Sequence, residues 1–83
     1  IRVNAICPGA VAGPRMERVL SFESAAAGVS IDDIRATYTD GVSMKRFVTA
    51  DEIADMAVFL ASDAARSVSG QAIAVDGNTE RMV

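Results

Sequence analysis

The chain contains no histidine and no tryptophan, and its one cysteine, Cys7, lies inside an apolar run. Without histidine, neither a histidine-activated nucleophile nor a zinc site of cysteines and histidines can be assembled, so we expect no metal centre. A single cysteine also excludes an internal disulfide. This composition fits a reducing compartment, and we expect the protein to be cytoplasmic.

Positive charge is also scarce. The chain has 8 lysine and arginine residues against 11 acidic residues, which gives a net charge of −3, and the basic residues are scattered. Nucleic-acid binding needs clustered positive charge, so we expect no nucleic-acid partner. No apolar run approaches the ~18 residues of a membrane-spanning helix, and the first residues lack the pattern of a signal peptide, so we expect no membrane association.

Hydrophobic residues, in contrast, make up 51 % of the 83 residues. A chain of this length forms at most one domain and buries only about 60 to 65 % of the surface that its unfolded form exposes. Apolar surface should therefore remain uncovered when this chain is considered by itself.

Two apolar segments predict β-strands near the two ends of the chain. Residues 1–7 are rich in β-branched residues and are followed by Pro8 and Gly9, which end a strand. Residues 71–76 form a second apolar run, and Gly77 and Asn78 after it indicate a turn. Both strands carry apolar residues on both faces, as central parallel strands do.

Helices are predicted between the two strands. Pro14 is suited to the first position of a helix that ends by Gly28, and Ser30 with Asp33 predicts the start of a second helix that ends at Gly41. The third helix has the clearest start, because Thr49 and Glu52 have the spacing of a capping box. Its apolar stripe consists of Ile53, Met56, Ala57 and Leu60.

A strand, a helical crossover and a second strand predict a βαβ unit with two adjacent parallel strands. The third helix should pack against these strands. The opposite face of the sheet would then be bare, and further sequence or a strand-swapped oligomer should cover it, because isolated two-stranded sheets are marginal in water.

Three motifs follow one another in a recognisable order: NAICPGAV at residues 4–11, RFVTADEIA at residues 46–54 and GQAIAVDG at residues 70–77. Together they resemble the C-terminal third of the short-chain dehydrogenase/reductase family. The resemblance implies an α/β fold class, in which the last two parallel strands plus helices form the C-terminal βαβ part of a Rossmann-type doubly wound sheet. Residues 1–83 would be the C-terminal portion of a single NAD(P)-binding domain, with residues 14–48 as a helical, movable substrate flap.

The resemblance also implies positions for a site. In the family, the residue at the position of Val11 binds the nicotinamide carboxamide through its backbone, and threonine usually stands at the position of Gly13, so we expect threonine to be tolerated there. From spacing alone, Pro8 and Gly9 could equally be a strand-ending turn. Arg15 fits either a solvated helix face or a contact with an anionic substrate. The implied cofactor-binding residues are Pro8, Gly9, Val11 and Gly13, and the implied substrate-lining residues are Met16, Val19 and Leu20.

No catalytic residue is expected in this chain. Tyr38 is the only tyrosine, but valine stands four residues later where the family motif Y-x-x-x-K has lysine. Tyr38 is therefore interpreted as a packing residue, and the family's catalytic serine, tyrosine and lysine would lie upstream of Ile1.

The implied function is hydride transfer between NAD or NADP and a small carbonyl or alcohol substrate by the complete protein, as a homo-oligomer (dimer or tetramer). The 83-residue chain alone should be inactive. The alternative is a stand-alone, non-catalytic oligomerisation or interaction domain, or a pseudoenzyme.

Overall fold

A computed structural model describes residues 1–79 of the chain, and residues 80–83 lie outside the described residues. The elements are, in chain order, β1 (Ala5–Pro8), α1 (Pro14–Ala27), α2 (Ile31–Asp40), α3 (Ala50–Ala61), a short 3-10 turn (Asp63–Ala65) and β2 (Ala72–Val75).

The two strands form a parallel sheet, as predicted. Ala5 pairs with Ala72, and the register continues to the pair of Pro8 and Val75. Helix α3 contacts both strands, so the strand, crossover helix and strand form the predicted βαβ unit.

The first strand is shorter than predicted, because it begins at Ala5 and not at Ile1. The side chain of Asn4 occupies the backbone groups that would extend the ladder: its Nδ2 donates to the carbonyl of Val68 at 3.0 Å, and its Oδ1 accepts from the N–H of Gln71 at 3.0 Å. Gly70, with φ of 73°, turns the partner segment away from strand geometry. Side-chain hydrogen bonds of Asn4 therefore replace part of the ladder at this end, where one backbone hydrogen bond, from the N–H of Gly70 to the carbonyl of Val3 at 2.7 Å, remains.

Helices α1 and α2 have the predicted bounds. Helix α1 ends before Gly28, which adopts a left-handed φ of 71° and donates its N–H to the carbonyl of Ser24. The hydroxyl of Ser30 accepts from the N–H of Asp33 at 3.1 Å and so caps the start of α2. The two helices pack on each other and form most of the predicted flap, whose mobility stays a prediction.

The capping box of α3 is present in full. The hydroxyl of Thr49 accepts from the N–H of Glu52 at 3.2 Å, and Oε1 of Glu52 accepts from the N–H of Thr49 at 2.8 Å. Leu60 is buried, and Ile53 and Met56 are half-buried. Ala57 is exposed, contrary to the predicted stripe, because two four-residue strands are too narrow to cover the whole helix face.

Glu52 also pairs with Arg46, whose guanidinium nitrogens donate to both carboxylate oxygens at 2.9 and 3.0 Å. The hydrogen bonds from Arg46, and then the one from the Thr49 backbone, lower the pKa of Glu52 from an ordinary 4.5 to about 2. A carboxyl group with a lowered folded-state pKa stabilises the fold above its unfolded pKa, and this contribution is lost as the pH falls through the folded pKa.

We therefore expect the Glu52 contribution to the free energy of unfolding to be complete above pH 4.5 and to disappear between pH 4.5 and about pH 2. Denaturant unfolding of the complete protein across this range, compared with Glu52→Gln, should show a weaker pH dependence in the variant. Arg46→Gln is the matched change on the partner and should weaken the dependence in the same window. Equal pH dependence in all three proteins would contradict the coupling.

The core is small, and much apolar surface is left uncovered, as the composition predicted. The radius of gyration of 15.5 Å exceeds the about 12 Å expected for a compact domain of this length. Within residues 1–79, six hydrophobic residues are buried: Leu20, Val42, Phe47, Val48, Leu60 and Ala65. Large exposed side chains include Phe22, Val58 and Phe59. None of the helices within residues 1–79 combines the length and apolar character needed to cross a membrane.

The uncovered face of the sheet carries small residues. Ala5, Cys7, Ala72 and Ala74 are exposed, whereas the larger Ile73 and Val75 are half-buried. The apolar run around Cys7 therefore does not bury its thiol, because side chains alternate between the two faces of a strand and only one face is covered here.

Candidate functional site

The candidate site lies at the carboxyl ends of the two parallel strands. The loop of residues 9–13 follows β1, and the turn of residues 76–78 follows β2. The N–H of Gly9 donates to the carbonyl of Val75 at 3.0 Å and so fixes the start of the loop beside the end of β2. In open α/β sheets, ligands bind at this edge.

Gly9 is required by its neighbour across the sheet. A Cβ atom built on Gly9 would lie 2.7 Å from Cβ and 2.9 Å from Cα of Asp76, which is closer than real Cβ atoms approach other carbons. The absence of a side chain at position 9 therefore allows the two strand ends to meet. This packing explains the glycine without reference to a ligand.

Val11 is held by a parallel bridge to Val48. The N–H of Val48 donates to the carbonyl of Ala10 at 3.0 Å, and the N–H of Ala12 donates to the carbonyl of Val48 at 2.8 Å. In this pattern the N–H and C=O of Val11 itself point away from Val48, and no backbone hydrogen bond among residues 1–79 uses them. Val48 is only 3 % exposed, so the loop rests on a fixed support.

A cleft of about 530 Å³ adjoins this loop and the first turns of α1. It brings together five residues that the sequence predicted for the site: Gly9, Val11, Gly13, Met16 and Val19. Ala10, Ala12, Pro14 and Arg15 complete the lining. We refer to this cavity as the loop cleft.

Two predicted site residues lie outside the loop cleft. Pro8 belongs to the last position of β1, where it pairs with Val75, and it does not line the cleft. Leu20 is 0 % exposed and is the largest fully buried side chain. The prediction that Leu20 lines a substrate pocket is therefore replaced by a packing role, since its side chain faces the protein interior.

Gly13 connects the loop to α1, and its φ of 151° is a conformation that residues with side chains rarely adopt. The expectation that threonine would be tolerated here is contradicted, because the strain lies in the backbone even though no atom crowds the site of a Cβ. Pro14 then occupies the first turn of α1, where its missing N–H costs nothing.

Among the described residues that line the loop cleft, Arg15 is the charged one. Its side chain is exposed, so it lies on the solvated face of α1 and at the rim of the cleft. A contact of Arg15 with an anionic substrate stays a prediction.

The support from Val48 was not predicted. Residues 11 and 48 are far apart in sequence, and no local pattern links them. Tyr38 packs as predicted: its ring meets Phe47 edge-on with centroids 6.2 Å apart and an interplanar angle of 72°. The hydroxyl of Tyr38 also donates to Oε1 of Glu23 at 2.9 Å, a contact that was not predicted.

Parallel strands joined by a helical crossover, with a glycine-containing loop and a cleft at their carboxyl ends, are the architecture of open α/β proteins of the Rossmann type. The family model described as enoyl-(acyl carrier protein) reductase matches residues 1–78. The chain belongs to this family, one of the short-chain dehydrogenases and reductases, as the sequence motifs indicated.

Curated relatives cover the same stretch. An uncharacterized oxidoreductase of Bacillus subtilis, YxjF, is 42 % identical over 78 residues, which are 93 % of this chain and 30 % of the relative. A D-beta-hydroxybutyrate dehydrogenase of Rhizobium meliloti is 31 % identical with the same coverage of 93 % and 30 %. The chain thus spans about 30 % of the length of these relatives.

Solved structures share the fold. A short chain dehydrogenase family protein from Francisella tularensis matches with a TM-score of 0.85 and 30 % identity, over 93 % of this chain and 32 % of that one. The L-sorbose reductase of Gluconobacter frateurii, solved with NADPH and L-sorbose, matches with a TM-score of 0.84 and 30 % identity, over 100 % of this chain and 32 % of that one. The predicted partial Rossmann-type α/β fold is confirmed.

Proposed function

We propose that this chain is part of an NAD- or NADP-dependent oxidoreductase that transfers a hydride between the nicotinamide cofactor and a small carbonyl or alcohol substrate. The observation that carries the proposal is the backbone of Val11, whose N–H and C=O remain unpaired among residues 1–79 beside the loop cleft. A carboxamide can accept from the N–H and donate to the C=O at once.

The residues present fit the amide end of a nicotinamide. The backbone of Val11 would hold the carboxamide, and Met16 and Val19 would give the ring and the substrate an apolar wall. The cofactor, when bound, would donate the hydride to a carbonyl group or accept it from an alcohol. This chain contains neither a glycine-rich phosphate loop nor a Y-x-x-x-K motif, so the rest of the site is assigned to sequence outside it, and the chain alone is proposed to be inactive.

The similarity to proteins named as dehydrogenases and reductases favours the enzyme over a stand-alone interaction domain or a pseudoenzyme. We further propose that the complete protein is a homo-oligomer. Val58 and Phe59 on α3 are exposed apolar side chains, and a second subunit would cover them in a symmetric assembly. A cytoplasmic location remains proposed on the composition.

The backbone role of Val11 is tested in the complete protein by the dissociation constants of NADH and NADPH. Val11→Ala keeps both backbone groups, so we expect affinity to be nearly unchanged. Val11→Pro removes the N–H, and we expect affinity to fall about tenfold, the effect of one lost hydrogen bond of about 1.4 kcal/mol. Equal losses in both variants would contradict the backbone role.

A second measurement covers the case in which Val11→Pro perturbs the loop. A nicotinamide dinucleotide in which an acetyl group replaces the carboxamide can still accept from the Val11 N–H but cannot donate to its C=O. We expect the unaltered protein to bind this analogue more weakly than the natural nucleotide. Equal binding, together with an unaffected Val11→Pro variant, would refute the proposed contact.

A further inference from the structure

A second cavity of about 510 Å³ shares Gly9 and Ala10 with the loop cleft. Its other walls come from the two flap helices and from the segments that follow α2 and β2. They are formed by Glu23, Thr37, Tyr38, Gly41, Val42 and Thr79. Because both cavities adjoin the same two loop residues, one molecule can extend from the loop cleft into the second cavity.

The polar wall of this cavity is held in place by packing. The hydroxyl of Tyr38 donates to Oε1 of Glu23 at 2.9 Å, and the Tyr38 ring rests on Phe47, which is 9 % exposed. No hydrogen bond of residues 1–79 uses the second carboxylate oxygen, Oε2 of Glu23. Glu23 therefore presents a positioned, unused acceptor to the cavity.

Charge around the cavity favours a neutral ligand. No lysine or arginine is among the described residues that line it. On the same pair of helices, Arg35 is engaged by Glu17 at 2.8 Å. An anionic group in the cavity would face the Glu23 carboxylate, and none of the described lining residues supplies a compensating cation, which opposes its binding.

A hydroxyl group suits the wall better. It can donate its proton to Oε2 of Glu23, which an ionised carboxylate cannot do. Since the proton of Tyr38 is given to Glu23, the Tyr38 oxygen can accept from a second hydroxyl group of the same ligand.

We propose that the second cavity binds the part of the substrate remote from its carbonyl group, and that Glu23, oriented by Tyr38, selects neutral hydroxylated substrates over carboxylates and phosphates. This inference rests on the proposed oxidoreductase function. Glu23 determines specificity and Tyr38 is a positioning residue; neither takes part in hydride transfer.

The test uses the complete protein with its nucleotide and two ketones of equal carbon number. One is acetoacetate, and the other is the hydroxyketone in which a hydroxymethyl group replaces the carboxylate. We expect kcat/KM to be higher for the hydroxyketone. Glu23→Gln should lower the ratio of kcat/KM for the hydroxyketone to kcat/KM for acetoacetate about tenfold. The variant loses both the hydrogen bond from the substrate hydroxyl to a charged group and the repulsion of the acetoacetate carboxylate.

Two further variants separate selection from general damage. Tyr38→Phe keeps the ring on Phe47 but frees Glu23, and it should lower the ratio in the same direction. Asp32→Asn removes the same charge from the flap helices outside the cavity, keeps the pair of Glu17 and Arg35, and should leave the ratio unchanged. If neither ketone is reduced, the same ratio is obtained from their dissociation constants with the nucleotide-bound protein.

With nucleotide binding intact, four results would overturn the subsite. These are a preference for acetoacetate, a ratio insensitive to Glu23→Gln, an equal change of the ratio in Asp32→Asn, and binding of neither ketone. A complete protein that binds neither NADH nor NADPH would instead overturn the proposed function itself.

Discussion

Replacement of Leu20 by alanine is expected to lower the free energy of unfolding of the complete protein by about 2 to 5 kcal/mol, the range for truncating a buried leucine. Leu20 is fully buried on the inner side of α1, the helix that packs against α2, so alanine would leave a cavity in the interior of the flap. Chemical denaturation measures this effect directly.

The neighbouring Val19 provides the matched control. Val19 is 36 % exposed and lines the loop cleft, so Val19→Ala should cost far less stability and should act on the Michaelis constant for the substrate. Should Leu20→Ala change the Michaelis constant while leaving stability intact, the packing role assigned to Leu20 would be wrong.

Gly9→Ala is expected to destabilise the complete protein by about 1 to 3 kcal/mol, as overpacking does, and to weaken nucleotide binding. The new Cβ would collide with Cβ and Cα of Asp76, at 2.7 and 2.9 Å, so the two strand ends must separate. Because the loop that carries Val11 starts at Gly9, this separation also moves the proposed carboxamide contact. Denaturation and nucleotide titration measure the two effects.

A double-mutant cycle identifies the cause of the damage. Asp76→Gly removes the Cβ that lies 2.7 Å from the added methyl group, so it should recover part of the stability that Gly9→Ala loses. Asp76→Gly also removes the carboxylate that accepts from the N–H of Asn78. The stability of the single Asp76→Gly variant measures the cost of this loss. Strictly additive effects of the two changes would place the damage elsewhere.

The two proposals divide the site between backbone and side chains. Val11 would recognise the cofactor through its backbone, so its side chain is free to vary, whereas Glu23 would recognise the substrate through a side chain that packing has oriented. Both depend on Gly9 and Ala10, which adjoin the two cavities. Substitutions in the flap helices should therefore have a larger effect on substrate choice than on nucleotide affinity.

The sequence by itself determined the features that depend on neighbours along the chain. The capping box of Thr49 and Glu52, the cap at Ser30 and the end of α1 at Gly28 all join residues within five positions of each other. Such contacts can be predicted from the spacing of residues along the chain. The parallel pairing of the strands could also be predicted, because a helical crossover between two apolar strands leaves few other arrangements.

Only the tertiary structure decided which distant residues meet. Asn4 ends the first strand by bonding to Val68 and Gln71, Val48 supports Val11, and Asp76 requires glycine at position 9. No periodic pattern encodes these contacts, since each depends on how the helices are placed over the sheet. The tertiary structure also decided that α1 buries Leu20 and exposes Val19. The apolar pattern of the sequence predicts which side of a helix faces the interior, but it does not predict which residues at the border of that side are covered.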